Sequence, residues 1–120
     1  MRELWNSRFT RWLAALAWMG VIFFLSAQSS LPDLTPGAPH LEEIGGHLLV
    51  YAVLVLLWER ALRAAGVRRA GWWALAIAAL YGLSDEFHQS FVPGRTMTVV
   101  DLAFDVVGAG AALLVTGRLP

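Results

Sequence analysis

The chain carries nine arginines and no lysine, and their placement limits what it can fold into. Eight of them fall in three places: the N-terminus (Arg2, Arg8, Arg11), a short central stretch (Arg60, Arg63, Arg68, Arg69) and the C-terminus (Arg118). Four apolar stretches separate these places. Two intervening segments hold most of the acids, all three histidines and the ninth arginine, Arg95. Basic residues collect on the cytoplasmic side of membrane proteins. The pattern therefore predicts an all-α, integral membrane four-helix bundle with both termini cytoplasmic and the acids and histidines on the outer face.

The 120 residues have room for one domain, expected to span 1–120. The composition, 58% hydrophobic with mean hydropathy +0.58, is richer in apolar residues than that of a soluble domain. Formal net charge is zero, and no basic surface suggests a nucleic-acid partner. With no cysteine there is no disulfide framework and no thiol chemistry. The first apolar stretch follows a basic segment, as a signal peptide would. Ser26-Ala27-Gln28-Ser29-Ser30 is a poor cleavage site, so the stretch is expected to stay as a signal anchor.

The spans are expected at about 12–27, 44–58, 72–91 and 98–116. A crossing needs about 20 largely apolar residues, and the uninterrupted runs here are shorter, such as Leu48 to Trp58 and Val106 to Thr116. To reach full length, the last three spans must take in His47, then Asp85 and His88, then Asp101 and Asp105. Those residues are thereby placed at the outer membrane level. Trp12, Trp58, Trp72 and Trp73 stand beside the arginines at the opposite ends, as an aromatic belt would. The outer linker, Leu31 to His40, holds three prolines and a glycine and is expected to be irregular. The inner linker, Glu59 to Gly71, is short and basic. Val92-Pro93-Gly94-Arg95 suits a tight type II turn. Gly108, Gly110, Ala111 and Ala112 would let the last helix pack closely.

Helical spacing gathers the polar residues. Tyr81, Asp85 and His88 share a stripe, with Gln89 beside them. Asp101 and Asp105 are one turn apart, about 6 Å along the axis. His47 and Tyr51 repeat that spacing on the second span, with Glu43 a turn outward, while Ser26, Gln28 and Ser29 end the first. Each has an ordinary explanation. Asp85 and Glu86 could flank a membrane exit, His88 could bond to backbone, and Arg95 could brace the turn against Asp101. Ser26 could bond to its own helix, the two tyrosines could pack with one wet end, and His40 could be solvated. Together at one depth they point to a shared site, because ionisable groups in a span are costly unless they face a bundle interior or a wet cavity.

Two chemistries suit the set. His47, Asp85 and His88 could ligate a divalent metal, although no tight ligand motif is present and a metal is not the favoured reading. Alternatively Asp85, Glu86, His88, Asp101 and Asp105 offer acid–base groups. Ser26, Gln28, His47, Tyr51, Tyr81, Gln89 and Arg95 would then bind the substrate, Arg95 through a phosphate or carboxylate.

These residues also resemble a known family. Tyr81-Gly82 followed by Asp85-Glu86, His88-Gln89 and Phe91-Val92-Pro93-Gly94-Arg95 is similar to the central signature of the VanZ-like membrane proteins. Asp101 and Gly108, the Phe24-to-Ser29 segment with Leu31-Pro32, and His47-x-x-x-Tyr51 fit that family's other motifs, so the resemblance covers about residues 20 to 110. Two positions differ: Ile44 stands where the family often has lysine, and Asp105 where it often has asparagine. The resemblance implies a multi-pass protein of the cell envelope with a teicoplanin-resistance-like role. It supplies no reaction. The expected function is an outward-facing polar site that engages a membrane amphiphile, such as a lipid-linked wall precursor or a lipoglycopeptide. The alternatives are a membrane-embedded hydrolase or transferase acting on a lipid headgroup, and a structural or partner-binding bundle. No nucleophile motif surrounds Ser26, Ser29 or Ser84.

Overall fold

A computed structural model describes residues 8–26, 39–92 and 99–119; within them, the side chains of 26, 39–45, 47, 99 and 101 are outside the description. Four helices follow one another: α1 (Arg8–Ser26), α2 (Pro39–Ala64), α3 (Ala70–Gln89) and α4 (Val99–Val115). There is no strand among the described residues. The helices run up and down, so α1 and α3 start at the end where α2 and α4 finish. Trp12 of α1 meets Trp58 of α2 edge-on at 5.2 Å, whereas the far ends of α1 and α3 meet through Phe23 and His88. Every described arginine therefore lies toward one end of the bundle.

α2 is the spine. It makes the broadest contact with α4 and packs on both α3 and α1, while α1 touches α3 only lightly. It is also longer than the expected span: 26 residues rather than a segment ending at Trp58, so Glu59 to Ala64 of the expected inner linker are helical. The reason is local. Glu59, Arg60, Ala61, Leu62, Arg63 and Ala64 contain no breaker, and Gly66 supplies the stop. Gly66 takes φ 81°, with its N–H bonded to the Arg63 carbonyl and that of Val67 to the Leu62 carbonyl. This is a Schellman cap, which needs a left-handed residue at the position after the helix. α4 ends the same way, with Gly117 at φ 69° and the Arg118 N–H reaching the Leu113 carbonyl at 2.8 Å.

The helices approach through small residues. On α3, Ala70, Ala74, Ala78 and Gly82 recur every four residues and are all buried. On α4, a Cβ added to Gly108 would lie 2.7 Å from the Leu48 carbonyl oxygen and 2.8 Å from its Cα, so the α2 and α4 backbones touch there. Gly110, expected to serve the same purpose, has nothing within 4 Å, because it points off the seam. Ala109 and Leu113 occupy the seam instead. Tyr51, Leu54 and Val55 of α2 complete the core between the helices.

Many large apolar side chains lie on the outside of the bundle. Leu80, Leu83 and Phe87 form a stripe at three- and four-residue spacing on α3 that Phe91 continues in the turn just after it, and each is at least 48% exposed. On the opposite side of that helix, Asp85, Glu86 and Gln89 are buried. α3 is thus amphipathic in the reverse sense to a water-facing helix. Among the described residues one helix, over Arg8–Leu25, is long and apolar enough to cross a membrane by itself, and α4 contributes a shorter apolar run, Leu102–Val115.

Candidate functional site

Three helices bring polar groups into the interior toward the end opposite the arginines, and two of the three supply acids. α3 supplies Asp85 and Glu86 on adjacent positions and Gln89 one turn on from Asp85, exposed by 6%, 0% and 3%. α4 supplies Asp105, which is wholly buried. α2 supplies Tyr51, whose hydroxyl donates to Asp85 Oδ2 at 3.1 Å and sits in the electrostatic field of both Asp85 and Asp105. Gly82 explains how α4 fits. A Cβ there would stand 3.2 Å from Asp105 Oδ2 and from Leu102 Cδ1, so the missing side chain is the space the Asp105 carboxylate occupies. Gly82, Glu86 and Gln89 follow i, i+4, i+7 and so share that α4-facing stripe.

The neighbouring stripe of α3 turns toward α1 and α2. Asp85 meets Tyr51 there, and Tyr81 donates its hydroxyl to the Met19 carbonyl of α1 at 2.5 Å. His88 lies flat on Phe23, ring centroids 4.4 Å apart and planes within 10°. Its Nδ1 is buried and has no hydrogen-bond partner among the described residues. α1 is held in register from below as well, since the Trp18 indole N–H donates to the Val50 carbonyl at 2.9 Å.

Of the residues expected at a shared site, Tyr51, Asp85, Glu86, Gln89 and Asp105 are gathered in the interior. His88 flanks them at the α1–α3 seam, and Tyr81 ties α3 to α1 rather than facing the acids. His47 and Asp101 belong to α2 and α4, but their side chains, like that of Ser26, are outside the described part, as are Gln28 and Arg95 altogether. His47 lies one turn before Tyr51 and Asp101 one turn before Asp105 along their helices. Among the described residues no group of three His, Cys, Asp or Glu side chains is arranged to hold a metal. The serines of α3 and its C-terminal cap are committed to backbone: Ser84 Oγ donates to the Tyr81 carbonyl at 2.7 Å, and Ser90 Oγ to that of Phe87.

A model of the VanZ/LLP1 family matches residues 11–119, almost the whole chain. The protein belongs to that family. VanZ proteins are linked to teicoplanin resistance, and the match takes in every acid and aromatic group just described. No curated protein and no solved structure matches the chain.

One charged group went unrecognised in the sequence. Glu59, read there as part of a basic linker, is 3% exposed inside α2. Arg118 Nη1 donates to its Oε2 at 2.5 Å, and Arg63 Nε lies 3.5 Å from its Oε1. The signal was present as a lone acid four residues before Arg63 in an otherwise basic stretch. The partnership with Arg118, 59 residues away, was not readable from local spacing. Gly82 likewise stood in the sequence only as part of a motif; the four-residue repeat of Ala70, Ala74, Ala78 and Gly82 marked it as a packing position.

Proposed function

We propose that this VanZ family protein is a multi-pass membrane protein of the cell envelope whose interior acidic site engages a membrane amphiphile, a lipid-linked wall precursor or a lipoglycopeptide. The observation that carries the reading is α3 itself, with Asp85, Glu86 and Gln89 buried and Leu80, Leu83 and Phe87 exposed. In water this arrangement hides the groups water solvates best and exposes a contiguous apolar stripe, the mark of a membrane or partner surface. In lipid it is the favourable one, because ionisable side chains face the bundle interior and apolar ones meet the chains. Helix lengths agree. At 1.5 Å per residue, α1, α3 and α4 are roughly 26–30 Å long, close to a hydrocarbon core of about 30 Å. With the arginines cytoplasmic, the acidic site opens toward the outer leaflet.

Carboxylates, a tyrosine hydroxyl and a glutamine amide are suited to a headgroup rich in hydrogen-bond donors or carrying an ammonium. Sugars and amino-sugar glycopeptides both offer these. Arg95, on the segment that follows Gln89, would supply the matching contact to a phosphate or carboxylate. The test is Asp85→Asn, which keeps the shape of the side chain and an acceptor for Tyr51 while removing the charge. Expressed in a lipoglycopeptide-sensitive host, the variant should reach the membrane in normal amount and give no protection above the empty host. Full protection by Asp85→Asn would end this reading. Loss of the protein from the membrane would favour a structural role for the acid.

A further inference from the structure

The arginine end holds a second site, built from parts the acidic site does not use. A cleft of about 420 Å³ lies between the end of α2, the start of α3 and the turn after α4, lined by Glu59, Arg63, Arg69, Gly71, Gly117 and Arg118 among others. Three guanidinium groups and one carboxylate give it a net charge of +2 (+3 from Arg63, Arg69 and Arg118, −1 from Glu59). Glu59 is engaged at the edge of the cleft by two of the three, Arg118 and Arg63, so the excess charge is local. The Arg118 Nε is buried with no hydrogen-bond partner among the described residues.

The backbone takes an uncommon conformation at the cleft wall. Arg69 precedes α3 in the left-handed conformation, φ 58° and ψ 44°, which is uncommon outside glycine and marks local strain. Its side chain does not cap the helix, so the first turn of α3, Ala70 and Gly71, presents its N-terminal end to the same cleft. That end carries positive partial charge. Gly71 is obligatory for the architecture, because a Cβ there would run into the Arg118 carbonyl. The surroundings of the cleft are apolar or interfacial. Trp72 and Trp73 are 47% and 59% exposed beside Arg69, and Leu114 and Val115, 67% and 87% exposed, lead into Thr116 and Gly117 on the other wall.

We infer that this cleft binds the phosphate of an anionic phospholipid, whose acyl chains lie against Leu114 and Val115. Basic pockets between helices on the cytoplasmic side are suited to such headgroups. A phosphodiester would answer the charge excess, meet the guanidinium forks and the α3 N-terminus, and place its glycerol at the level of the two tryptophans. The inference rests on the chain being a membrane protein, and not on what the acidic end binds.

The experiment uses the full chain purified in a non-ionic detergent, with native mass spectrometry after adding equal amounts of short-chain phosphatidylglycerol or phosphatidylcholine. Phosphatidylglycerol should be retained preferentially. Arg63→Gln and Arg69→Gln should each weaken its retention about fivefold, at roughly one surface arginine's worth of attraction to an anionic lipid, while Arg8→Gln, at the same end but outside the cleft, should not. Arg69→Lys, which keeps the charge and the backbone demand, should restore most of the loss. Equal retention of the two lipids, or an equal loss in Arg8→Gln, would overturn the site in favour of diffuse surface charge. Inorganic phosphate competing as well as phosphatidylglycerol would overturn the lipid assignment in favour of a free anion. Alkaline extraction of cell membranes checks the underlying reading separately: a chain released into the soluble fraction is not membrane-embedded, and the lipid site falls with that reading.

Discussion

The two ends of the bundle both bury acids, and they do so in opposite ways. At the arginine end, Glu59 is met by Arg118 and Arg63 from two different segments, so a guanidinium stands against each carboxylate oxygen. At the far end, Asp85, Glu86 and Asp105 share the interior with a tyrosine and a glutamine, and every described arginine lies elsewhere. The first arrangement closes a joint between the C-terminal turn and α2. The second gathers acids from α3 and α4 around Tyr51 and Gln89, facing the bundle interior rather than the apolar outside. On the proposed function, the difference separates an acid that holds the fold from acids that face a ligand.

The measurement that could break this comparison outright is topology. Reporter fusions at the C-terminus and at Gly37 should report cytoplasmic and external positions respectively. A C-terminus found outside would reverse which end faces the envelope, and the proposed site with it.

Next in size are the phenotypes of His88→Ala and Asp101→Ala. Both variants are expected to reach the membrane at normal abundance and to lose the protection against a lipoglycopeptide entirely. Apolar runs and the aliphatic core carry insertion, and an Asp near the bilayer centre opposes it by about 2.5–3.5 kcal/mol, less toward the interface. If both proteins disappear instead, these residues set helix register. If both persist with protection intact, the acidic end does not act on that drug.

At the other end the expectation is inverted. Arg118→Leu removes one of the two partners of Glu59 and should cost roughly 2–3 kcal/mol, below the about 3–5 kcal/mol for breaking a fully buried pair because Arg63 remains. Thermal unfolding in detergent should show it, and the folded fraction should still protect the host. Tyr51→Phe removes one hydrogen bond to a carboxylate, worth about 1.5–3 kcal/mol when the acceptor is charged; it should lower the melting temperature while leaving the protein in the membrane. The smallest effect is assigned to Asp105→Asn, which installs the residue the family often carries there. Its carboxylate fills the space over Gly82, and an amide fills the same space, so drug sensitivity should match the unaltered protein. A null phenotype would move the essential charge from Asp85 to Asp105.

Much of this was legible one residue at a time. The four helices, their order and the end at which the arginines collect follow from hydropathy and charge, which act locally: an apolar run becomes a helix, and Gly66 and Gly117 stop two of them by taking the left-handed conformation. The spacing of Tyr81, Asp85 and His88 put them along one side of a helix before any neighbour was known. Which neighbour each would meet was not legible. Tyr51 and Asp85 are 34 residues apart, Tyr81 and Met19 are 62 apart, and Glu59 and Arg118 are 59 apart. Helical period sets the direction of a side chain about its own axis, but not the rotation of one helix against the next. That rotation is decided where backbones come closest, at Gly108 against Leu48 and at Gly82 under Asp105. The sequence by itself determined the helices, their alternation and the sidedness of charge. The tertiary packing alone decided that Glu59 would be neutralised while Asp85, Glu86 and Asp105 would be drawn together, because close packing acts between residues that no local pattern connects.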